Sequence, residues 1–164
     1  MSIAVVYGST TGSTAAVASG IAAALGAECL NVAEVSAAQL AGFDALVLGS
    51  STWGAGDLQD DWEANIGAIE SANLTGKKVA VFGTGDLLGF ADTFCDALAR
   101  LRDAAAAAGA TIVGAGEVEG YDGVSSRVFE DGRFIGLPLD VTNQPELTDS
   151  RVSAWVERLK RELA

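Results

Sequence analysis

The sequence predicts an α/β protein with a doubly wound, five-stranded parallel sheet flanked by helices. Short apolar runs alternate along the chain with stretches in which apolar residues recur at helical spacing. The chain has 164 residues, of which 49% are hydrophobic, so it is long enough to bury a full core. It contains no linker-like segment and no internal repeat. We therefore expect one domain over residues 1–164, with any ligand beyond the carboxyl ends of the strands.

The strands are expected where short apolar runs are bounded by glycine or polar residues, as is typical of buried parallel strands. Four such runs cover residues 3–7, 45–48, 79–82 and 111–113. A fifth run, residues 29–32, alternates between apolar and polar side chains and is expected at an edge of the sheet.

Four helices are predicted from apolar residues that share one helical face. In chain order, these faces carry Val17, Ile21 and Leu25; Trp62, Ile66 and Ile69; Phe94, Leu98 and Leu101; and Val152, Trp155, Val156, Leu159 and Leu163. Gly26 is expected to end the first helix and Gly109 lies near the end of the third, because glycine readily adopts the left-handed conformation that closes a helix.

The charge of the chain limits its partners. The net charge is −12, and residues 1–76 carry eight acids and no Lys or Arg. Nucleic acids and anionic membranes are therefore excluded as partners, whereas a basic protein is a candidate. The alternative is that the acids only keep the protein soluble. The first residues lack a basic signal segment and no apolar run reaches membrane-spanning length, which predicts a cytoplasmic location.

The first predicted strand leads directly into a turn rich in hydroxyl groups that opens a helix. This turn contains Ser9, Thr10, Thr11, Gly12, Ser13 and Thr14. Backbone N–H groups and the positive end of a helix dipole suit a phosphate there, but the turn has neither the Lys of a nucleotide loop nor a GxGxxG pattern. Neutral donors alone indicate a permanently bound, phosphate-bearing cofactor. An ordinary capped turn is the alternative.

Two glycine-rich loops follow the third and fourth predicted strands. Residues 49–62 include Trp53, and residues 83–90 include Phe90. A large aromatic side chain on a glycine loop at a ligand edge can stack on a planar ring. It can also fold back as an apolar lid, and this alternative stays open for each loop taken alone.

Over essentially the whole chain, these motifs resemble those of flavodoxins, which hold one non-covalent FMN. The resemblance implies the strand order 2-1-3-4-5. It also implies a long-chain member, in which an insertion at about 120–138 splits the fifth strand. Within the insertion, a hairpin turned at Asp131 and Gly132 is expected. The implied FMN-binding residues are the six of the hydroxyl-rich turn together with Ser51, Thr52, Trp53, Gly54, Gly56, Thr84, Gly85, Asp86, Phe90 and Asp140.

Three positions depart from the common long-chain pattern. Phe90 replaces the usual Tyr, Leu87 the usual Gln and Thr93 the usual Asn. Stacking by Phe90 is expected to survive because its π-face is intact. Leu87, Leu88 and Phe90 could form a shallow apolar patch for a partner.

The resemblance implies a low-potential one-electron carrier that shuttles between semiquinone and hydroquinone, rather than an enzyme. Acids on both glycine-rich loops would disfavour the anionic hydroquinone, and the Gly54 carbonyl would accept a hydrogen bond from the protonated N5 of the semiquinone. The implied partners are basic redox proteins such as a ferredoxin–NADP reductase or an oxidoreductase acceptor. The chain itself is expected to be a monomer. An FMN-dependent NAD(P)H:quinone reductase of the same fold is the alternative, and a flavin-free binding module is a third possibility.

Overall fold

A parallel sheet forms the centre of the molecule. The computed structural model describes residues 1–10, 12–53, 56–117, 120–121 and 124–164, with Trp53 described for its backbone only. The strands are β1 (Ile3–Gly8), β2 (Glu28–Asn31), β3 (Ala45–Trp53), β4 (Asp57–Leu58), β5 (Lys78–Gly85), β6 (Thr111–Ile112), β7 (Phe129–Glu130), β8 (Arg133–Phe134) and β9 (Leu137–Asp140).

The order of the parallel strands is the predicted one. β2, β1, β3 and β5 lie side by side, and among the described strands β2 pairs with β1 alone, so it is an edge strand. Both β6 and β9 pair in parallel with β5: β6 pairs with its first two residues and β9 with Phe82–Gly85. The fifth position of the sheet is therefore shared by two strand segments, between which the chain leaves the sheet.

Six helices cover the two faces of the sheet in the part of the chain that the structure describes. They are α1 (Ser13–Leu25), α2 (Ala37–Ala41), α3 (Asp60–Asn65), α4 (Gly67–Ser71), α5 (Ala97–Ala107) and α6 (Thr148–Leu163). α1 and α6 bury Ile21 and Trp155 on one face. α2 to α5 cover the other face, where Trp62 and Leu98 are fully buried. Alternate residues of each central strand feed the two cores, as the pleat of a strand requires.

Two strands run further than the sequence predicts. β3 continues through Gly49 to Trp53, and β5 continues to Gly85, so their glycines belong to the sheet rather than to loops. A Cβ at Gly49 would collide with the ring of Phe82, and one at Gly83 would collide with Leu98. These glycines are present because neighbouring side chains cross the backbone there, a tertiary reason that periodicity does not report.

Two helix predictions need correction. Phe94 precedes α5 instead of sharing its apolar face, because Cys95 has a φ of 53° and the helix begins only at Ala97. The helix expected around Trp62 to Ile69 is divided at Ile66, where the Ile69 N–H bonds the Ile66 carbonyl in a tighter turn.

The hairpin between β7 and β8 has the predicted turn. Asp131 and Gly132 both have positive φ, 54° and 79°, which is the conformation of a type I′ turn. Among the described residues, no helix is long and apolar enough to cross a membrane.

Gly136 directly precedes β9. Gly136→Ala should destabilise the protein, because the added Cβ would collide with the Val81 carbonyl of β5. We expect a loss of about 1–3 kcal/mol in the free energy of unfolding, measured by urea titration followed by circular dichroism. Gly20→Ala is the matched control, since a Cβ at this helical position meets open space and should be neutral or stabilising. Equal effects of the two substitutions would contradict the described position of β9.

Candidate functional site

A cavity of about 420 Å³ opens beyond the carboxyl ends of β3, β5 and β9, beside the start of α1. The strand order reverses between β1 and β3, and Ser13 after β1 and Ser51 on β3 both line the cavity, so it lies at the usual ligand position of an open parallel sheet. Its lining consists of Ser13, Ser51, Thr52, Thr84, Gly85, Asp86, Phe90, Thr93, Phe94, Cys95, Val141 and Thr142. The hydroxyl-rich turn and both glycine-rich loops therefore meet at one site.

The hydroxyl-rich turn presents an uncapped helix end to this cavity. Gly12 has a φ of 94°, which turns the chain sharply into α1, and its N–H donates to Ser9 Oγ at 3.1 Å. Within the described residues, no side chain caps the N–H groups of the first turn, and the Ser13 side chain is exposed. Free N–H groups and the positive end of the helix dipole together make a site for an anion.

Besides Ser9, two further hydroxyl groups of the turn are engaged in fixing it. Thr14 is buried, and its Oγ1 lies 3.1 Å from Thr84 Oγ1, so it ties α1 to β5. Thr10 Oγ1 accepts a hydrogen bond from Gln59 Nε2 at 3.0 Å. Thr14 therefore holds the turn in place, while Ser13 is the residue among the described part of the turn whose hydroxyl group lines the cavity.

Gln59 is a central residue that the sequence analysis missed. It is 2% exposed, its Oε1 accepts the Asp61 N–H at 2.9 Å, and its own N–H donates to Ser50 Oγ at 3.2 Å. A Cβ at Gly8 would collide with Gln59 Oε1, so glycine at the end of β1 makes room for this side chain. Glutamine is not a favoured helix cap, and nothing in the local sequence signals this role.

The first glycine loop begins at the end of β3. Thr52 lines the cavity and its Oγ1 accepts the Ala97 N–H at 3.2 Å, while Gly56 packs against the Asp96 side chain. The Trp53 backbone pairs with Asp57, but its side chain lies outside the described structure, as do Thr11 and Gly54. The stacking of Trp53 and the role of the Gly54 carbonyl stay predictions.

The second glycine loop places Phe90 over the cavity. Phe90 is 56% exposed, and its N–H bonds the Asp86 carbonyl at 3.0 Å. The predicted apolar patch of Leu87, Leu88 and Phe90 is confirmed only in part. Leu88 is exposed, but Leu87 is 5% exposed and belongs to the core, so it cannot contact a partner.

Asn143 joins two carboxylates at the far side of the cavity. Its Nδ2 donates to Asp86 Oδ1 at 2.7 Å and to the Asp140 carboxylate at 3.0 and 3.1 Å. Asp140 is buried and lies behind Val141 and Thr142, which line the cavity. The Gly89 N–H, and then Asn143, hold the pKa of Asp86 below its usual value.

The rim of the site is acidic. Asp57, Asp60, Asp61, Asp86, Asp92 and Asp96 lie on or beside the two glycine loops, and none of them forms an ion pair with a described Lys or Arg. The one rim acid with such a partner is Glu63, which lies 2.8 Å from Arg100. The described residues contain no group of His, Cys, Asp or Glu that could hold a metal.

The fold and the site define a class of small α/β protein that holds an anionic ligand with a planar ring at the switch point of its sheet. The chain belongs to the flavodoxin family, whose model matches residues 5–155. Flavodoxins are electron-transfer flavoproteins rather than enzymes, and they act with redox partner proteins.

Individual relatives match this sequence over nearly its full length. A flavodoxin of Picosynechococcus is 42% identical over 158 residues, covering 94% of this chain and 93% of the relative. Flavodoxin 2 of Escherichia coli is 39% identical over 169 residues, covering 100% and 98%. The crystal structure of Fusobacterium nucleatum flavodoxin bound to flavin mononucleotide superposes with a TM-score of 0.92 at 30% identity, covering 99% of each chain.

Asn143→Leu should raise the pKa of Asp86 toward its usual value, because it removes one of the donors that stabilise the carboxylate and leaves the Gly89 and Leu88 N–H groups. A carboxyl whose pKa is lowered by folding stabilises the protein above its unfolded pKa, and this contribution disappears as the pH falls through the folded value. Side-chain carboxyl NMR titration measures the shift. Asp44 is the internal reference, since its lowered pKa depends on the Ser2 N–H instead. An unchanged Asp86 titration would contradict the Asn143 bridge.

Proposed function

We propose that this chain is a low-potential one-electron carrier that holds one non-covalent FMN and passes electrons between redox partner proteins. In this proposal it alternates between the one-electron-reduced and the fully reduced flavin. The observation that carries the proposal is the cavity beside the uncapped start of α1, whose lining includes hydroxyl donors and the exposed ring of Phe90. The FMN-bound structure of the Fusobacterium relative supports the choice of cofactor.

The residues at the start of α1 fit the phosphate of FMN. The free N–H groups of the first turn and the exposed Ser13 hydroxyl donate to it, with no cation required. Ser9 and Thr10 shape the turn through their bonds to the Gly12 N–H and Gln59. We also assign Thr11 to the phosphate, and Thr14 to the support of this turn from within the core.

The cavity fits the flavin ring. Its volume of about 420 Å³ lies within the usual range of small-ligand sites. Phe90 would cover one face and Trp53 the other, between walls formed by Ser51, Thr52, Thr84 and Gly85. In this proposal Gly54 and Gly56 let the first loop approach the ring, and Asp86 borders the edge of the ring. Asp140 does not contact the ring directly; it positions Asn143, which in turn holds Asp86.

The bound flavin supplies the redox chemistry, and the residues of the chain set how readily it accepts charge. The unpaired acids of the rim raise the energy of any added negative charge in the cavity, so they lower the potential of the second electron. The Gly54 carbonyl is proposed to accept a hydrogen bond from the flavin N5–H, since glycine tolerates the required dihedral change.

The partner surface in this proposal is the acidic rim together with Leu88 and Phe90. Leu88 is 80% exposed and Phe90 56%, so both can contact another protein. A basic partner such as a ferredoxin–NADP reductase or an oxidoreductase acceptor matches the rim charge. We propose a monomer of the long-chain type, and the cytoplasm is the compartment that the sequence predicts.

Ser13→Ala should weaken FMN binding far more than riboflavin binding. Hydrogen bonds to charged groups contribute about 1.5–3 kcal/mol, so we expect roughly a tenfold to hundredfold loss for FMN alone. Quenching of flavin fluorescence by the flavin-free protein measures both dissociation constants. Ser153→Ala, another exposed helical hydroxyl, is the control. An equal loss for both flavins would mean that Ser13 does not serve the phosphate.

In an anaerobic redox titration, the bound flavin should take up electrons in two resolved one-electron steps, and NADPH alone should not reduce it. Direct two-electron reduction by NADPH would instead favour the quinone-reductase alternative. Asp57→Lys should raise the second potential by on the order of tens of millivolts, because it replaces a repulsive charge with an attractive one. Glu28→Lys, the same change at the opposite end of the sheet, should leave it unchanged.

A further inference from the structure

Residues 125–127 run behind residues 91–96, the segment that joins the second glycine loop to α5, and bond to it at successive positions. Ser125 donates from its Oγ to Asp92 Oδ1 at 2.6 Å and from its N–H to the Ala91 carbonyl at 3.4 Å. The Ser126 Oγ donates to the Phe94 carbonyl at 2.6 Å. The Arg127 N–H donates to Asp96 Oδ1 at 2.8 Å. We call residues 125–127 the brace.

The loop that the brace contacts has little regular structure of its own. Between Phe90 and α5 it contains a single short 3-10 turn, Ala91–Thr93, and then Cys95 at a φ of 53°, where a residue with a side chain is strained. Thr93, Phe94 and Cys95 nevertheless form one wall of the cavity. External contacts must therefore hold this wall in shape.

The brace is itself anchored to the body of the protein. Val128 is fully buried, and its carbonyl accepts the Ile135 N–H at 2.9 Å. The Arg127 Nη2 lies 2.8 Å from Asp103 Oδ2 on α5. The brace can therefore transmit the rigidity of α5 and of the buried Val128 to the loop.

We infer that the brace is a positioning element of the flavin site, and that its bonds to Asp92, Phe94 and Asp96 keep the Thr93–Cys95 wall in the conformation that receives the flavin ring. The inference rests on the proposed function for the identity of the ligand. The brace contacts the loop from behind and does not belong to the lining of the cavity. It acts on the ring side of the site and not on the phosphate side.

Ser126→Ala is the most direct test, because it removes the donor to the Phe94 carbonyl and adds no bulk. Since one hydrogen bond corresponds to about a tenfold change in an equilibrium constant, we expect FMN and riboflavin to bind about tenfold more weakly, by equal factors. Ser126→Thr keeps the donor and should restore both affinities. Ser71→Ala removes a similar bond, from Ser71 Oγ to the Gly67 carbonyl in α4, and should leave both affinities unchanged.

A second measurement needs no flavin. Amide hydrogen exchange of residues 93–97 in the flavin-free protein should become faster in Ser126→Ala and in Ser125→Ala, but not in Ser71→Ala. Unchanged flavin affinity and unchanged exchange in Ser126→Ala would overturn the inference. A loss for FMN alone would overturn it too, since that pattern belongs to the phosphate loop. If the unaltered protein binds no flavin, the proposed function fails, and the exchange experiment still decides whether the brace holds the loop.

Discussion

The N–H groups at the start of α1, which no described side chain caps, provide the interaction on which the rest of the proposed site depends. No Lys or Arg precedes Lys77 in the chain, and none is among the described residues that line the cavity, so backbone dipoles and hydroxyl groups are the donors available to an anion there. This constraint explains why Gly12 is left-handed and why Thr14 is buried against Thr84. The donors must be held in place before the ligand arrives, because neutral groups attract an anion weakly at a distance.

The use of neutral donors for the phosphate also keeps positive charge away from the acidic cavity. A cation near the phosphate would strengthen its binding, but it would also offset the negative potential of the acids around the cavity. In the proposed function, neutral donors at α1 bind the phosphate while the unpaired acids on both glycine loops keep the potential of the electron-carrying ring low. Binding and redox tuning are therefore assigned to different residues of one small cavity.

The sequence was sufficient for those features that are encoded locally. The apolar strands, the turn after β1 and the hairpin at Asp131 and Gly132 follow from periodicity and turn chemistry, and the structure contains all of them. The extension of β3 through Gly49 could not be predicted, because it depends on the Phe82 ring of a neighbouring strand. The burial of Leu87 and the position of Phe94 outside α5 likewise depend on distant packing.

The supports of the site were also beyond sequence reasoning. Gln59 contacts Thr10, and Asn143 contacts Asp86 across 57 positions of the chain. Such pairs have no fixed spacing, and a polar residue that supports a loop looks like any other surface residue in a single sequence. Family resemblance identified the residues expected to touch the ligand, whereas only the structure located the residues that hold them.

Phosphorus NMR of bound FMN tests the central claim most directly. A free phosphate monoester has a second pKa of about 6, so its resonance moves as the pH crosses that value. Donors that favour the doubly charged form should lower this pKa, because they bind the dianion more strongly than the monoanion. We predict a phosphorus resonance that stays constant between roughly pH 5 and pH 8 in the bound state. A bound phosphate that titrates like free FMN would contradict the assignment of the α1 N-terminus.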